Sequence, residues 1–111
     1  EPFGSIRGNG RITDSPEVEI YEVRGKGMVR NPQARKLLEF CAEKYEGLPF
    51  AERWLVRDFP MSEFARKTAL RELVQHGALE AHSVLKEKKG SVVAQFETTI
   101  LINDGKVIRL I

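Results

Sequence analysis

The feature that most constrains the fold is an apolar stripe of helical spacing between Asn31-Pro32 and Gly47. Asparagine is a favoured helix N-cap, and proline fits the first helical position, where its missing N–H is not needed. Apolar residues then recur at intervals of three and four: Ala34, Leu37, Leu38, Cys41, Ala42 and Tyr45. The segment therefore predicts an amphipathic helix that buries one face and ends at the glycine.

Composition limits the class of protein. The 111 residues are 41% hydrophobic and 31% charged, which suits one domain with a core of its own. Eighteen Lys and Arg against sixteen Asp and Glu give a formal net charge of +2, a balance that predicts neither a nucleic-acid nor a membrane partner. Cys41 has no second cysteine to pair with, which is typical of a reducing compartment, and we expect a cytoplasmic location. No apolar run approaches the roughly 18 residues of a membrane span.

The rest of the chain predicts two more helices and several strands. Ser62 is a suitable N-cap for a second long helix, and Gly77 is a suitable residue to end it. Trp54 is expected in the packed face of a short helix between these two. Predicted helices cover 32–46, 49–55 and 62–76, and predicted strands cover 17–23, 79–85, 91–102 and 106–111.

The order of these elements indicates an α+β fold with a helical unit inside a sheet. Three helices followed by two strands, joined by the basic turn at residues 86–90, are typical of a winged helix. The strands outside this unit belong to another part of the fold. Because the chain begins with Glu1-Pro2-Phe3 and not with methionine, we expect it to be a fragment, a processed product or a trimmed form of a longer protein.

Glu97 is the main candidate for chemistry because it lies in the middle of the apolar predicted strand 91–102. A buried carboxylate is costly unless it is paired, hydrogen-bonded or bound to a metal. Glu97 is therefore either a solvated residue of an edge strand or a ligand or acid–base group held on a rigid strand. His76 is expected to interact with the end of its helix, and His82 by itself indicates no more than a surface histidine.

Three segments resemble the C-terminal part of a type II methionine aminopeptidase, with the archaeal branch the more similar. Residues 47–55 read Gly-Leu-Pro-Phe-Ala-Glu-Arg-Trp-Leu, and residues 93–100 read Val-Ala-Gln-Phe-Glu-Thr-Thr-Ile. The opening Glu1-Pro2-Phe3-Gly4 resembles the family segment that carries a metal-binding glutamate. These matches occur in the right order over nearly the whole chain.

The resemblance implies a fold and a reaction. The fold would be the C-terminal part of a pita-bread fold, with an inserted winged-helix-like subdomain at 31–85 between strands of the catalytic fold at 1–30 and 86–111. The reaction would be removal of the N-terminal methionine from nascent proteins by a pair of divalent metal ions, which could be cobalt, manganese, iron or zinc. The implied partners are a nascent polypeptide N-terminus and the preceding part of the enzyme, in the same or a separate chain.

The resemblance also implies roles for four residues. Glu1 would bind one metal, Glu97 would bridge both, Gln95 would lie beside that bridge, and His82 would line the methionine pocket. Two aspartates and one histidine of the family's metal site have no counterpart here, so the isolated chain is expected to be inactive. The chain also has Thr98 where the family usually has histidine, and residues 81–83 where it has a Tyr-Pro motif.

Two alternatives remain open on the sequence. One is a free-standing winged-helix module that binds nucleic acid, against which the near-neutral charge weighs. The other is a non-catalytic relative with the pita-bread fold.

Overall fold

The structure is a computed structural model that describes all residues from Glu1 to Ile111. The chain divides into two compact units, the first made of Glu1–Asp14 with Leu85–Ile111 and the second of Ser15–Val84. The elements, in chain order, are β1 (Phe3–Ile6), β2 (Thr13–Val23), α1 (Pro32–Tyr45), β3 (Phe50–Ala51), α2 (Glu52–Asp58), α3 (Glu63–Gln75), β4 (Leu79–Lys86), β5 (Val92–Gln95), β6 (Ile100–Asn103) and β7 (Lys106–Arg109).

The first long helix, α1, forms as its capping residues predict. The Asn31 side-chain oxygen accepts hydrogen bonds from the backbone N–H groups of Gln33 (2.9 Å) and Ala34 (3.4 Å). The buried face consists of Ala34, Leu37, Leu38 and Cys41. Ala42, at the edge of the predicted stripe, is exposed.

The second long helix, α3, is also confirmed. Ser62 Oγ accepts the N–H of Ala65 at 3.2 Å, and Gly77 follows the helix with a φ of +70° that favours glycine. His76 Nδ1 lies 2.9 Å from the carbonyl oxygen of Glu72, as expected for an imidazole at a helix end. The buried face consists of Arg66, Ala69, Leu70 and Leu73.

The short helix begins later than predicted. Phe50 and Ala51 pair with Tyr21 and Ile20 as the two-residue strand β3, so their backbone is extended and α2 starts only at Glu52. Phe50 is fully buried, whereas Trp54 is 36% exposed and not part of the packed face. The helix register that predicts a buried Trp54 is therefore wrong.

The predicted hairpin between β4 and β5 is wrong. In the three-stranded sheet the order is β3-β2-β4, so β4 pairs with β2, which precedes the helices in the chain. β5 pairs with β1 instead. Between them the chain reverses in a turn closed by the Ser91 N–H and the Lys88 carbonyl oxygen (3.0 Å).

The predicted strand 91–102 is interrupted at residues 96–99. The Phe96 N–H still bonds to the Pro2 carbonyl oxygen (3.1 Å), but proline has no N–H to return, so the ladder with β1 ends there. Beyond the break, the Leu110 N–H bonds to the Thr99 carbonyl oxygen (2.8 Å), and β6 continues against β7. The β6–β7 hairpin has its turn at Asp104-Gly105, both with positive φ.

The buried core lies entirely in the second unit. It joins α1, α3, β3 and the start of β4 around Phe50, Leu37, Leu55, Leu70 and Leu73, all less than 2% exposed. No residue of the first unit is buried. None of the three helices is long and apolar enough to cross a membrane.

Candidate metal site

Glu1 and Glu97 meet at the end of the β1–β5 ladder. The antiparallel register runs from Ile6↔Val92 to Phe3↔Gln95, and Glu1 and Glu97 each lie two residues beyond that last pair. Both glutamates line the same cavity there. The two glutamates that the sequence identifies as candidate metal ligands are thus brought together.

Gln95 belongs to the same group of side chains. It is the last residue of β5, two positions before Glu97, and its Nε2 donates a hydrogen bond to Oε1 of Glu1. This contact orients one of the two carboxylates. The structure therefore places Gln95 beside the predicted ligands.

A cavity of about 260 Å³ opens at this point of the first unit. It is lined by Glu1, Glu97, Thr98, Thr99 and Ile111. Thr98, the residue after Glu97, forms hydrogen bonds with other parts of the first unit. Its Oγ1 donates to the carbonyl oxygen of Ile111 and accepts from Arg109 Nε at 3.1 Å. Thr98 thus helps to hold the link between β5 and β6 in place.

The donor set at this cavity fits divalent cations in part. Carboxylate oxygens are suitable ligands for manganese, iron, cobalt or zinc. Two carboxylates facing each other repel, and a cation between them would offset that repulsion. No group of three or more His, Cys, Asp or Glu side chains comes together in the chain.

His82 lies in the second unit and has a different set of partners. Its Nε2 is 3.3 Å from Oε2 of Glu22, which is largely buried. The other oxygen of Glu22 is 3.0 Å from Nη1 of Arg24, and Arg24 Nε also pairs with Glu80. His82 is thus one member of a charged network across β2 and β4.

Sequence reasoning missed this network and one further pair. Arg66 is 8% exposed and its Nε lies 2.9 Å from Oε1 of Glu52, joining α3 to α2. A buried arginine requires such a partner. The alternating polar residues of β2 indicated that charged side chains lie on one face of this strand. Only the pairing of β2 with β4 shows that their partners are on β4.

The comparisons with known proteins agree with the resemblance. No family model matches the chain. The methionine aminopeptidase of Pyrococcus horikoshii is 40% identical over 107 residues, which cover 96% of this chain and 35% of that protein. The methionine aminopeptidase of Methanocaldococcus jannaschii is 36% identical, covering 96% and 34%, and that of Saccharolobus solfataricus is 31% identical, covering 97% and 36%.

One solved structure supports the fold. A thermophilic Arx1, a pita-bread fold protein, is similar with a TM-score of 0.73 and 21% identity, covering 92% of this chain and 27% of that one. At that identity the likeness shows the fold alone. The chain is mixed α and β and related to the pita-bread fold, and it spans about a third of the length of the curated relatives it matches. Over nearly its whole length it is similar in sequence to part of the archaeal methionine aminopeptidases.

Proposed function

We propose that this chain is the C-terminal portion of a type II methionine aminopeptidase, an enzyme that removes the N-terminal methionine from nascent proteins. The observation that carries the proposal is the placement of Glu1 and Glu97 at one cavity, in a chain 40% identical to about a third of such an enzyme. The similar proteins are named methionine aminopeptidase, which does not favour either alternative, a nucleic-acid-binding module or a non-catalytic protein with the pita-bread fold.

In this proposal Glu1 binds one divalent metal and Glu97 bridges two. A metal pair supplies an activated water and polarises the peptide carbonyl when bound. Gln95 holds the Glu1 carboxylate in a fixed orientation through its side-chain N–H. The remaining ligands come from residues that this chain does not contain, so the chain alone is expected to be inactive.

We further propose that His82 lines the pocket for the methionine side chain. The support is the position of His82 in the family resemblance and its partial exposure in the structure. The Glu22 carboxylate, 3.3 Å from its Nε2, would fix the orientation of the imidazole ring.

Residues 31–85 are proposed as a winged-helix-like insertion. Support comes from the three helices α1, α2 and α3 and from a three-stranded sheet of order β3-β2-β4. The central strand of that sheet is β2, which comes before the helices, and β5 does not belong to it as the sequence suggests. Residues 1–30 and 86–111 would then be the flanking segments of the catalytic fold, with β2 shared between that fold and the sheet of the insertion.

The proposed partners are the N-terminus of a nascent polypeptide and the remaining part of the enzyme, in the cytoplasm. Large apolar side chains of the first unit are exposed, among them Phe3 (58%) and Ile102 (67%). Exposed apolar surface of this kind marks a protein–protein contact, which supports a further part of the enzyme as its partner. A membrane or nucleic acid is not among the partners we propose.

A chimeric enzyme tests this function. We would replace the matched third of the Pyrococcus horikoshii methionine aminopeptidase with this chain and measure methionine released from a Met-Gly peptide with Mn²⁺. We expect release, and we expect Glu97→Gln to slow it by about 100-fold or more, because the bridging charge is lost. Asp14→Asn removes the same charge from an exposed residue of the same unit and is expected to leave the rate unchanged.

Two results would contradict the proposal. One is a folded, metal-loaded chimera that releases no methionine. The other is a Glu97→Gln chimera that works at the rate of the parent, since Glu97 would then be an ordinary strand residue.

A further inference from the structure

The carboxylate of Glu87 occupies a ring of hydrogen-bond donors in the first unit. Its Oε2 accepts from Ser5 Oγ at 3.2 Å, and its Oε1 accepts from the backbone N–H groups of Asn9 (3.3 Å) and Lys88 (2.9 Å). Along with the backbone N–H of Lys88, that of Gly10 helps to lower the pKa of this carboxyl group. Glu87 thereby ties the turn after β4 to Ser5 of β1 and to residues 7–10, which we call the glycine loop.

Gly8 is the position where the glycine loop approaches Glu87 most closely. A Cβ at Gly8 would lie 2.6 Å from Cδ of Glu87 and 2.5 Å from Oγ of Ser5, well inside normal contact distance. At Gly4, in the neighbouring strand β1, a Cβ would meet nothing within 4 Å. The loop is thus closely packed on the glutamate at Gly8, whereas β1 has free space at Gly4.

The register of the β1–β5 ladder requires a contact outside the two strands to fix it. All four residues of β1 and all four of β5 are exposed, so no buried side chain on either strand fixes the pairing. Register is weakly specified where neither face is buried, and a slip of one residue moves every side chain to the opposite face. Such a slip would separate Glu1 from Glu97.

We propose that Glu87 is a positioning residue: by holding the glycine loop, it fixes the register of β1 against β5 and so keeps Glu1 and Glu97 at one cavity. The loop follows directly on Ile6, the residue that pairs with Val92 at the far end of the ladder. Glu87 therefore anchors one end of a four-residue ladder, and the two candidate ligands lie at the other. The consequence for metal binding rests on the proposed function, whereas the effect on register does not.

The test uses nuclear magnetic resonance of the 111-residue chain without metal. Cross-strand proton contacts between Phe3 and Gln95 report the register, and amide hydrogen exchange at Asn9 and Gly10 reports the loop. We expect Glu87→Ala to weaken the cross-strand contacts by about half or more and to speed the amide exchange about tenfold, with Glu87→Gln intermediate because a neutral acceptor forms weaker bonds. Asp14→Asn, which removes a carboxylate that makes no such contacts, should change neither readout.

Glycine variants give a second measurement that keeps the Glu87 side chain. Gly8→Ala should displace the carboxylate and reproduce the register change in the same two readouts. Gly4→Ala should preserve both. If Glu87→Ala unfolds the first unit, Glu87→Gln and Gly8→Ala still decide the matter through the Phe3–Gln95 contact.

Unchanged cross-strand contacts in both Glu87→Gln and Gly8→Ala would overturn the proposal, as would a loosened loop with an intact register. These outcomes are independent of activity. A failure of the chimera to release methionine would refute the proposed function and leave the role of Glu87 in register unaffected. An unchanged register in the Glu87 variants would refute that role and leave the proposed function unaffected.

Discussion

Glu87 has more hydrogen-bond donors around its carboxylate than either candidate metal ligand has. The backbone N–H of Lys88 contributes most to lowering the pKa of this carboxyl below its ordinary value, and the donors at Asn9, Ser5 and Gly10 lower it further. Because Glu87 lies near the surface, the neighbouring charges of Lys88 and Lys89 are screened by solvent. Direct hydrogen bonds, and not distant charges, thus determine the state of this residue.

A pH titration tests the ionised state of Glu87. Its pKa is lowered in the folded chain, so its contribution to stability is fully present above the ordinary value and is lost as the pH falls through the lowered pKa. We expect the amide resonances of Asn9 and Lys88 to shift together at a pH below the usual glutamate range. Titration of those amides at or above the ordinary value would contradict the hydrogen bonds of the structure.

Cys41 offers a second prediction for a single residue. Burial raises the pKa of its thiol to about 12, and the side chain is inaccessible in the face of α1. The thiolate is the reactive form, so the folded chain should label with iodoacetamide at pH 8.5 only as fast as it unfolds. Labelling in urea should be rapid and complete. Equal rates in the folded and the denatured chain would show that Cys41 is not in the core.

The helices and β3 form the part of the molecule that packs. Phe50 stacks on Tyr45 with ring centroids 4.6 Å apart and lies next to Tyr21 at 6.2 Å. Its strand β3 has only two residues, so Phe50 joins the sheet to α1 through its side chain more than through its backbone. Trp54, one turn later on α2, contacts Tyr45 from the outside of the core, with ring centroids 5.9 Å apart.

Alanine substitutions of these two aromatic residues test the packing of α2. Phe50→Ala should lower the free energy of unfolding by about 3–5 kcal/mol, the usual cost of a fully buried aromatic side chain. Trp54→Ala should cost about 1–2 kcal/mol, because a third of that residue already contacts solvent. Urea denaturation followed by circular dichroism measures both. A larger loss for Trp54 than for Phe50 would mean that the helix is rotated relative to the structure.

The helices could be predicted from the sequence because the interactions that form them join residues close together in the chain. Asn31 and Ser62 bond to amides two or three residues later, and the buried stripes follow the 3.6-residue period. Strand partners depend on distant residues, and here the prediction failed: nothing between Lys86 and Gly90 reveals that β4 pairs with β2. The break at residues 96–99 depends on Pro2, more than ninety positions away.

For the candidate site, the residue types were predictable and the geometry was not. The pattern of residues 93–100 and the family resemblance indicated Glu1, Gln95 and Glu97, which the structure places at one end of the β1–β5 ladder. Their proximity follows from an antiparallel register that no local pattern encodes. The roles of metal ligand and pocket residue stay predictions, as does the division of the chain at residues 31–85.

Over the whole chain, stability and the candidate site lie in different units. Every buried residue belongs to Ser15–Val84, whereas Glu1, Gln95 and Glu97 belong to the first unit, whose strands are exposed on both faces. Two-stranded ladders without a buried face are marginal in water. The proposed remainder of the enzyme would therefore supply both the missing ligands and the missing packing.

The most direct test of the proposed site is the metal content of the chimera with the Pyrococcus horikoshii enzyme. Mass spectrometry of the purified protein after dialysis against dilute Mn²⁺ counts the ions on each chain. We predict about two ions for the parent chimera and about one or fewer for Glu97→Gln, because a neutral bridge cannot offset the repulsion between neighbouring cations. Asp14→Asn should keep the parent value. A Glu97→Gln chimera with the full metal content of the parent would contradict the assignment of Glu97 as the bridging ligand.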